Sequence, residues 1–191
     1  PVGGVDPPAA LYHGSRDGRH EHPDAHLKNW RGILQADAYG GYNGLYDPAR
    51  KAGVVTSALC WSHARRGFFE LADIAASARR GASAAPVSPI ALEALKRIDA
   101  LFDIERAING LSPEDRQRVR QEQSRPLVDD LHAWLLSKRP TLSRSSSVAK
   151  PIDYMLKRWS RFAGFLDDGR ICLTNNAAER SLRGFALGRK A

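Results

Sequence analysis

Ile33-Leu34-Gln35-Ala36-Asp37-Ala38-Tyr39, followed by Gly40-Gly41-Tyr42-Asn43-Gly44, is an apolar run that ends on a carboxylate and breaks into a turn. The run predicts a strand, and the glycines after it predict that the strand stops close to Asp37. Upstream, Ala9-Ala10-Leu11-Tyr12-His13 reads as a short strand, and a polar loop and a helix around Pro23 to Trp30 lead into the Asp37 strand. Downstream, Val54-Val55-Thr56-Ser57-Ala58-Leu59-Cys60 is β-branched and apolar enough for another strand. His63-Ala64-Arg65-Arg66-Gly67-Phe68-Phe69-Glu70-Leu71 then switches to helical spacing. Strand, helix and strand in succession predict an α/β fold built on a mixed sheet with flanking helices.

From about Gly81 to Gly169 the pattern becomes helical throughout. Ser88-Pro89 caps a helix whose Leu95, Ile98, Phe102 and Ile108 form an apolar stripe, and Ser112-Pro113-Glu114-Asp115 starts another. That second helix is expected to bend near Pro126, before Leu127, Leu131, Trp134 and Leu135 resume the stripe. A loop from Ser143 to Ser147 precedes a third helix with Ile152, Met155, Trp159, Phe162 and Phe165, all read as core. Arg170-Ile171-Cys172-Leu173 is a return strand on this reading, and a helix bearing Glu179 follows, capped by Thr174, Asn175 or Asn176. The chain thus divides into residues 1–80 and 170–191, forming one α/β core, and residues 81–169, forming an all-helical insertion.

The balance of charge narrows the choice of partner. Against 21 Asp and Glu stand 29 Lys and Arg, a formal net charge of +8 and a pI near 9.9, which favours a polyanion such as nucleic acid. Cys60 and Cys172 form no disulfide framework, which suits a reducing cytosol, and no stretch approaches the apolar length of a membrane span. The sequence opens on Pro1 and its single methionine is Met155, so it reads as a piece of a longer protein. No glycine-rich phosphate cradle with lysine, nucleophile elbow or dinucleotide fingerprint occurs, which leaves ATP use, serine hydrolysis and nicotinamide chemistry without support.

Asp37 and Glu179 each sit where a regular element meets a loop, where a carboxylate is presented rather than buried. Carboxylates converging on one point can hold Mg²⁺, which prefers hard oxygen ligands, and a pair of such ions suits in-line phosphoryl displacement. Taken singly, each residue is a weak signal, since most Asp and Glu residues are merely solvated. Cys60 and His63 have a Cys-x-x-His spacing, but no second pair completes a zinc site, and Cys60 reads as core. His20, His22 and His26 read as a polar loop. Tyr39 and Tyr42 are placed either to stack on an unpaired base or to pack against the sheet.

Three motifs then carry a resemblance. Leu34-Gln35-Ala36-Asp37-Ala38-Tyr39-Gly40-Gly41-Tyr42, Cys60-Trp61-Ser62-His63-Ala64-Arg65-Arg66-Gly67-Phe68-Phe69 and Thr174-Asn175-Asn176-Ala177-Ala178-Glu179-Arg180-Ser181-Leu182-Arg183, closed by Gly188-Arg189-Lys190, resemble the transposases of the IS sixty-six insertion-sequence family. The resemblance implies a ribonuclease-H-like core of the DDE type, with helices inserted before the last acidic residue. The interval of 179 − 37 = 142 positions leaves room for them. Asp37 matches the second acidic metal ligand and Glu179 the third, while the first belongs on a strand upstream of Pro1; Asp6 and Asp17 do not match it. The resemblance further implies two Mg²⁺ or Mn²⁺ ions in the complete site, terminal inverted repeats and target DNA as substrates, accessory proteins of the same element, and a homo-oligomer on DNA in the bacterial cytoplasm, at the nucleoid. With two of three ligands, this piece alone is expected neither to cut nor to join DNA.

His63, Arg65, Arg66, Asn176, Arg180, Arg183, Arg189 and Lys190 are the candidate DNA-binding set. The cations among them form either a phosphate track beside the metals or a solvated basic face. Arg183, four positions after Glu179, can also pair with it locally. A non-catalytic remnant that only binds DNA or partner proteins is the competing reading.

Overall fold

Two five-residue strands pair in parallel. The protein, seen here in a computed structural model, is described over residues 12–14, 16–17, 19–72 and 87–182. A short helix α1 (Glu21–His26) leads to strand β1 (Gly32–Ala36), and a 3₁₀ turn (Gly40–Tyr46) lies in the crossover to strand β2 (Val55–Leu59). The register runs from Gly32 opposite Val55 to Ala36 opposite Leu59, so both strands finish at the same edge. Gly53 enters β2 with φ of +101°, a conformation that glycine adopts without a Cβ clash.

Helix α2 (Trp61–Ala72) starts directly after β2. Its buried residues Trp61, Ala64, Phe68 and Ala72 lie at helical spacing and face a bundle made by α3 (Pro89–Ala107), α4 (Pro113–Val119), α5 (Arg125–Lys138), α6 (Ala149–Leu156) and α7 (Trp159–Ala163). The Ser88 and Ser112 hydroxyls accept the backbone N–H groups of Ala91 and Asp115, and each is followed by a proline, so both helices start where capping chemistry predicts. One apolar core runs through strand β2, α2 and the bundle. It includes Leu59, Trp61, Phe68, Ile98, Leu131, Ile152, Met155, Phe162 and Leu173. Burying an apolar side chain of this size contributes about 1.5–3 kcal/mol, so Trp61 with the aromatics of α7 and of the 3₁₀ turn after it (Gly164–Leu166) forms a principal joint. The Trp61 indole N–H donates to the Phe162 carbonyl at 3.1 Å, and its ring meets Trp159, Phe162 and Phe165 edge-on.

Several expectations need correction. The described sheet is a parallel pair, not a mixed sheet. Residues 9–11 lie outside the described residues, and Tyr12 and His13 are not in a strand. Arg170 to Leu173 form no strand either: the Leu173 carbonyl accepts from Trp61 N–H at 3.0 Å and the Cys172 carbonyl from the Gln35 side-chain amide, which fastens the segment without a ladder. Helix α1 ends at His26, short of Trp30, and contains His22 and His26 rather than leaving them in a loop; His22 pairs with Asp17 at 2.8 Å. Ahead of Pro126 the helix opens into a π turn (Arg120–Ser124). Leu127 is exposed and Val128 takes its place in the stripe with Leu131 and Leu135. The third helix is broken between α6 and α7, where Arg158 leaves helical geometry at φ −129°, and a 3₁₀ turn (Gly164–Leu166) carries Phe165.

Candidate functional site

The carboxyl edge of a parallel sheet is where crevices form, and here it gathers the motif residues. Asp37 directly follows β1 and is exposed; its Oδ1 accepts the Tyr39 N–H at 3.2 Å, which turns the chain into the 3₁₀ segment. His63 lies in the first turn of α2, just after β2, so the strand register carries it to the same edge. Both line an open cavity of about 780 Å³ with Tyr39, Glu70, Lys150 and Tyr154. Burial raises the Tyr42 and Tyr154 hydroxyls above the usual tyrosine range, and the negative charge of Asp37 adds to both shifts.

Glu179 reaches this edge from the far end of the sequence. It sits in the first turn of α8 (Asn176–Ser181), with the Thr174 hydroxyl accepting the Asn176 N–H at 3.4 Å. Thr174, not Asn175, supplies that side-chain bond. Buried Ile171 and Leu173 anchor the approach to the helix. His63 Nε2 lies 3.4 Å from Glu179 Oε1, while His63 Nδ1 is buried without a partner among the described residues. His63 therefore shares a cavity with one acid and a polar contact with the other.

The basic residues separate into two kinds. Arg66 and Arg180 are exposed, have no ion-pair partner among the described residues, and line a concavity of about 470 Å³ with Asn176 and Glu179. Arg65 is turned the other way. Its Nε and Nη2 donate to Asp99 at 2.6 and 3.0 Å, which raises its pKa and ties α2 to α3. Arg183, Arg189 and Lys190 lie outside the described residues. Cys60 is fully buried, as a core residue should be. Tyr39 and Tyr42 meet edge to face at 5.4 Å, with Tyr39 still exposed.

The helical segment also contributes to the cavity, which sequence reasoning missed. Lys150 and Tyr154 lie four positions apart on α6, one face of one helix, and that spacing was the only available signal. Among the described residues, no group of three or more His, Cys, Asp and Glu stands together so as to hold a metal ion.

The sequence profile described as "Transposase IS66 family", a family of DDE transposases, matches residues 2–191. The chain belongs to the IS66 transposase family. It is similar over its whole length to three uncharacterized proteins of Sinorhizobium fredii: y4hP at 61% identity, y4jD at 36% and y4qI at 32%. The chain spans about a third of each, 35%, 35% and 34% of their lengths. No solved structure matches it. At the level of the family this is a transposase-related domain, and DDE transposases work with divalent metal ions. No helix among the described residues is long and apolar enough to cross a membrane.

Proposed function

We propose that this chain is part of the catalytic core of a DNA transposase, with a ribonuclease-H-like fold, and that Asp37 and Glu179 are two of its acidic ligands. The observation that supports the reading is the position of His63, which shares a cavity with Asp37 and lies 3.4 Å from Glu179, an acid 142 positions along the chain from Asp37.

The donor chemistry suits Mg²⁺ or Mn²⁺ in part. Both groups offer carboxylate oxygens, the ligand type these ions prefer, but no three His, Cys, Asp or Glu among the described residues stand together to complete a site. Bound there, such ions would stabilise the attacking and leaving oxygens of a phosphodiester displacement. The chain's own contribution is easier to specify. Asp37 and Glu179 present the oxygens, His63 fixes the orientation of Glu179, and Arg66 and Arg180 neutralise phosphates alongside. Arg65 has no part in that track, because its charge is already met by Asp99. Terminal inverted repeats and target DNA are the substrates on this reading, handled by two or more copies with accessory proteins of the same element.

A strand-transfer assay tests the proposal. A full-length relative that contains this region should join element ends to target DNA with Mg²⁺ or Mn²⁺, and should lose that activity when the acids equivalent to Asp37 and Glu179 are made amides. Activity that survives both changes overturns the assignment. The second reading, a remnant that binds DNA without chemistry, draws on the Arg66–Arg180 concavity, which can hold phosphate with no metal. It predicts salt-sensitive DNA binding and no strand transfer under any metal.

A further inference from the structure

We infer that one helical face, carrying Arg116, Gln117, Arg120 and Gln121, is a clamp that sets the position of Glu179. The inference deepens the reading above, which gives Glu179 its task; the four are positioning residues. The carbonyls of five consecutive residues, Phe165 to Gly169, all accept hydrogen bonds from that face. Arg120 Nη1 donates to Phe165 O at 2.9 Å and to Asp168 O at 3.3 Å, and Gln121 Nε2 to Leu166 O at 2.7 Å. Gln117 Nε2 donates to Asp167 O at 2.9 Å and Arg116 Nη1 to Gly169 O at 2.8 Å. Donors at i, i+1, i+4 and i+5 share one side of a helix, so a whole length of loop is laid along a single template.

The two arginines are deeply placed for charged groups. Arg120 is 0% exposed and Arg116 5%. Glu105 compensates both, with Arg120 Nε and Nη2 at 2.6 and 2.8 Å and Arg116 Nη2 at 3.2 Å, and Arg120 also lies over the Phe165 ring at 5.2 Å. Buried ion clusters of this kind are often no more stabilising than apolar residues of the same volume. What an apolar replacement could not do is hold a specified backbone path. Gly169 shows how close that path runs: a Cβ there would fall 1.7 Å from the Pro113 carbonyl oxygen.

The segment so held leads straight to the site. After Gly169 it buries Ile171 and Leu173, is fastened through Leu173 O to Trp61 N–H, and enters α8 at Asn176. Helix α8 has six residues and buries none of them, and its own contacts include the Tyr12 hydroxyl, which donates to Ser181 O at 2.9 Å, and His63 beside Glu179. The point at which it starts is set by the segment before it, and that segment takes its course from the clamp.

A spin-label distance measurement tests this. Labels go on Lys96→Cys in α3 and Ala178→Cys in α8, in a Cys172→Ser background, with buried Cys60 left in place. The parent should give one narrow distance distribution. Gln117→Ala/Gln121→Ala removes the three glutamine bonds to the loop and the Arg125 bond to Gln121 Oε1, and leaves the Glu105 cluster with Arg116 and Arg120 intact; it should broaden the distribution about twofold while the unfolding midpoint moves only a few degrees. Arg116→Met should broaden it further. A distribution as narrow as the parent's in the glutamine pair, whether or not Arg116→Met folds, overturns the clamp. Neither metal nor DNA enters the measurement, so that failure would leave the role of Glu179 untouched, and failure of the metal assignment would leave the clamp standing.

Discussion

Helices α3, α5 and α6 bury five, three and four residues respectively, whereas strand β1 and helix α8, the elements beside the two acids, bury none. The helical segment is held by an apolar core with charge clusters at its edges. The acid-bearing edge is held by short elements and a few backbone bonds. The contrast teaches that stability and proposed chemistry are carried by different parts of the chain: the helical bundle supplies a rigid base, and the site rides on it. Substitutions should therefore divide by region.

The largest loss is expected where the regions join. Trp61→Ala removes a fully buried indole, three aromatic contacts and the bond to Phe162 O, and should cost about 3–5 kcal/mol in urea unfolding. A loss under about 1 kcal/mol would mean that the two regions are not joined through this ring. Glu105→Ala comes next. It leaves Arg116 and Arg120 buried with no carboxylate, at a cost of about 3 kcal/mol. Folding unchanged by that substitution would break the account of the bundle's edge.

A smaller effect follows from pH. The hydrogen bond from Arg170 lowers the Asp168 pKa below its ordinary 3.8, so the folded state favours the ionised carboxylate. Its contribution is fully present above that ordinary value and is lost as pH falls through the lowered one. Asp168→Asn should therefore flatten part of the decline in stability below pH 3.8 and leave the neutral-pH slope unaltered, as read from denaturant titrations across pH. A variant with the parent's acid profile would show that the pair does not matter to folding. The smallest effect is expected at the site itself: Asp37→Asn and Glu179→Gln should each leave the melting temperature within about 2 °C of the parent.

The same contrast explains what the sequence showed in advance. Elements dictated by local chemistry were legible: β1 and β2 from their apolar runs, α3 and α4 from Ser-Pro caps, and the burial of Ile98, Leu131 and Ile152 from helical spacing. The juxtaposition of Glu179 with His63 was not, since only the resemblance linked the acids. What failed was set by tertiary partners. Arg170 to Leu173 has the composition of a strand, but its carbonyls are taken by Trp61 and Gln35. Arg116 and Arg120 look like an ordinary solvated face, because nothing local reveals Glu105 above them or five carbonyls opposite. Arg65, in the candidate DNA-binding set, likewise has a partner that nothing local reveals, Asp99 lying 34 positions away.

Mn²⁺ binding, followed by electron paramagnetic resonance in the parent, Asp37→Asn, Glu179→Gln and the double variant, tests the central claim most directly. If the two acids share one site, each single change weakens binding and the double change weakens it by less than the sum of the two. Equal binding by all four proteins, or losses that simply add, would place the carboxylates in separate environments and contradict the account.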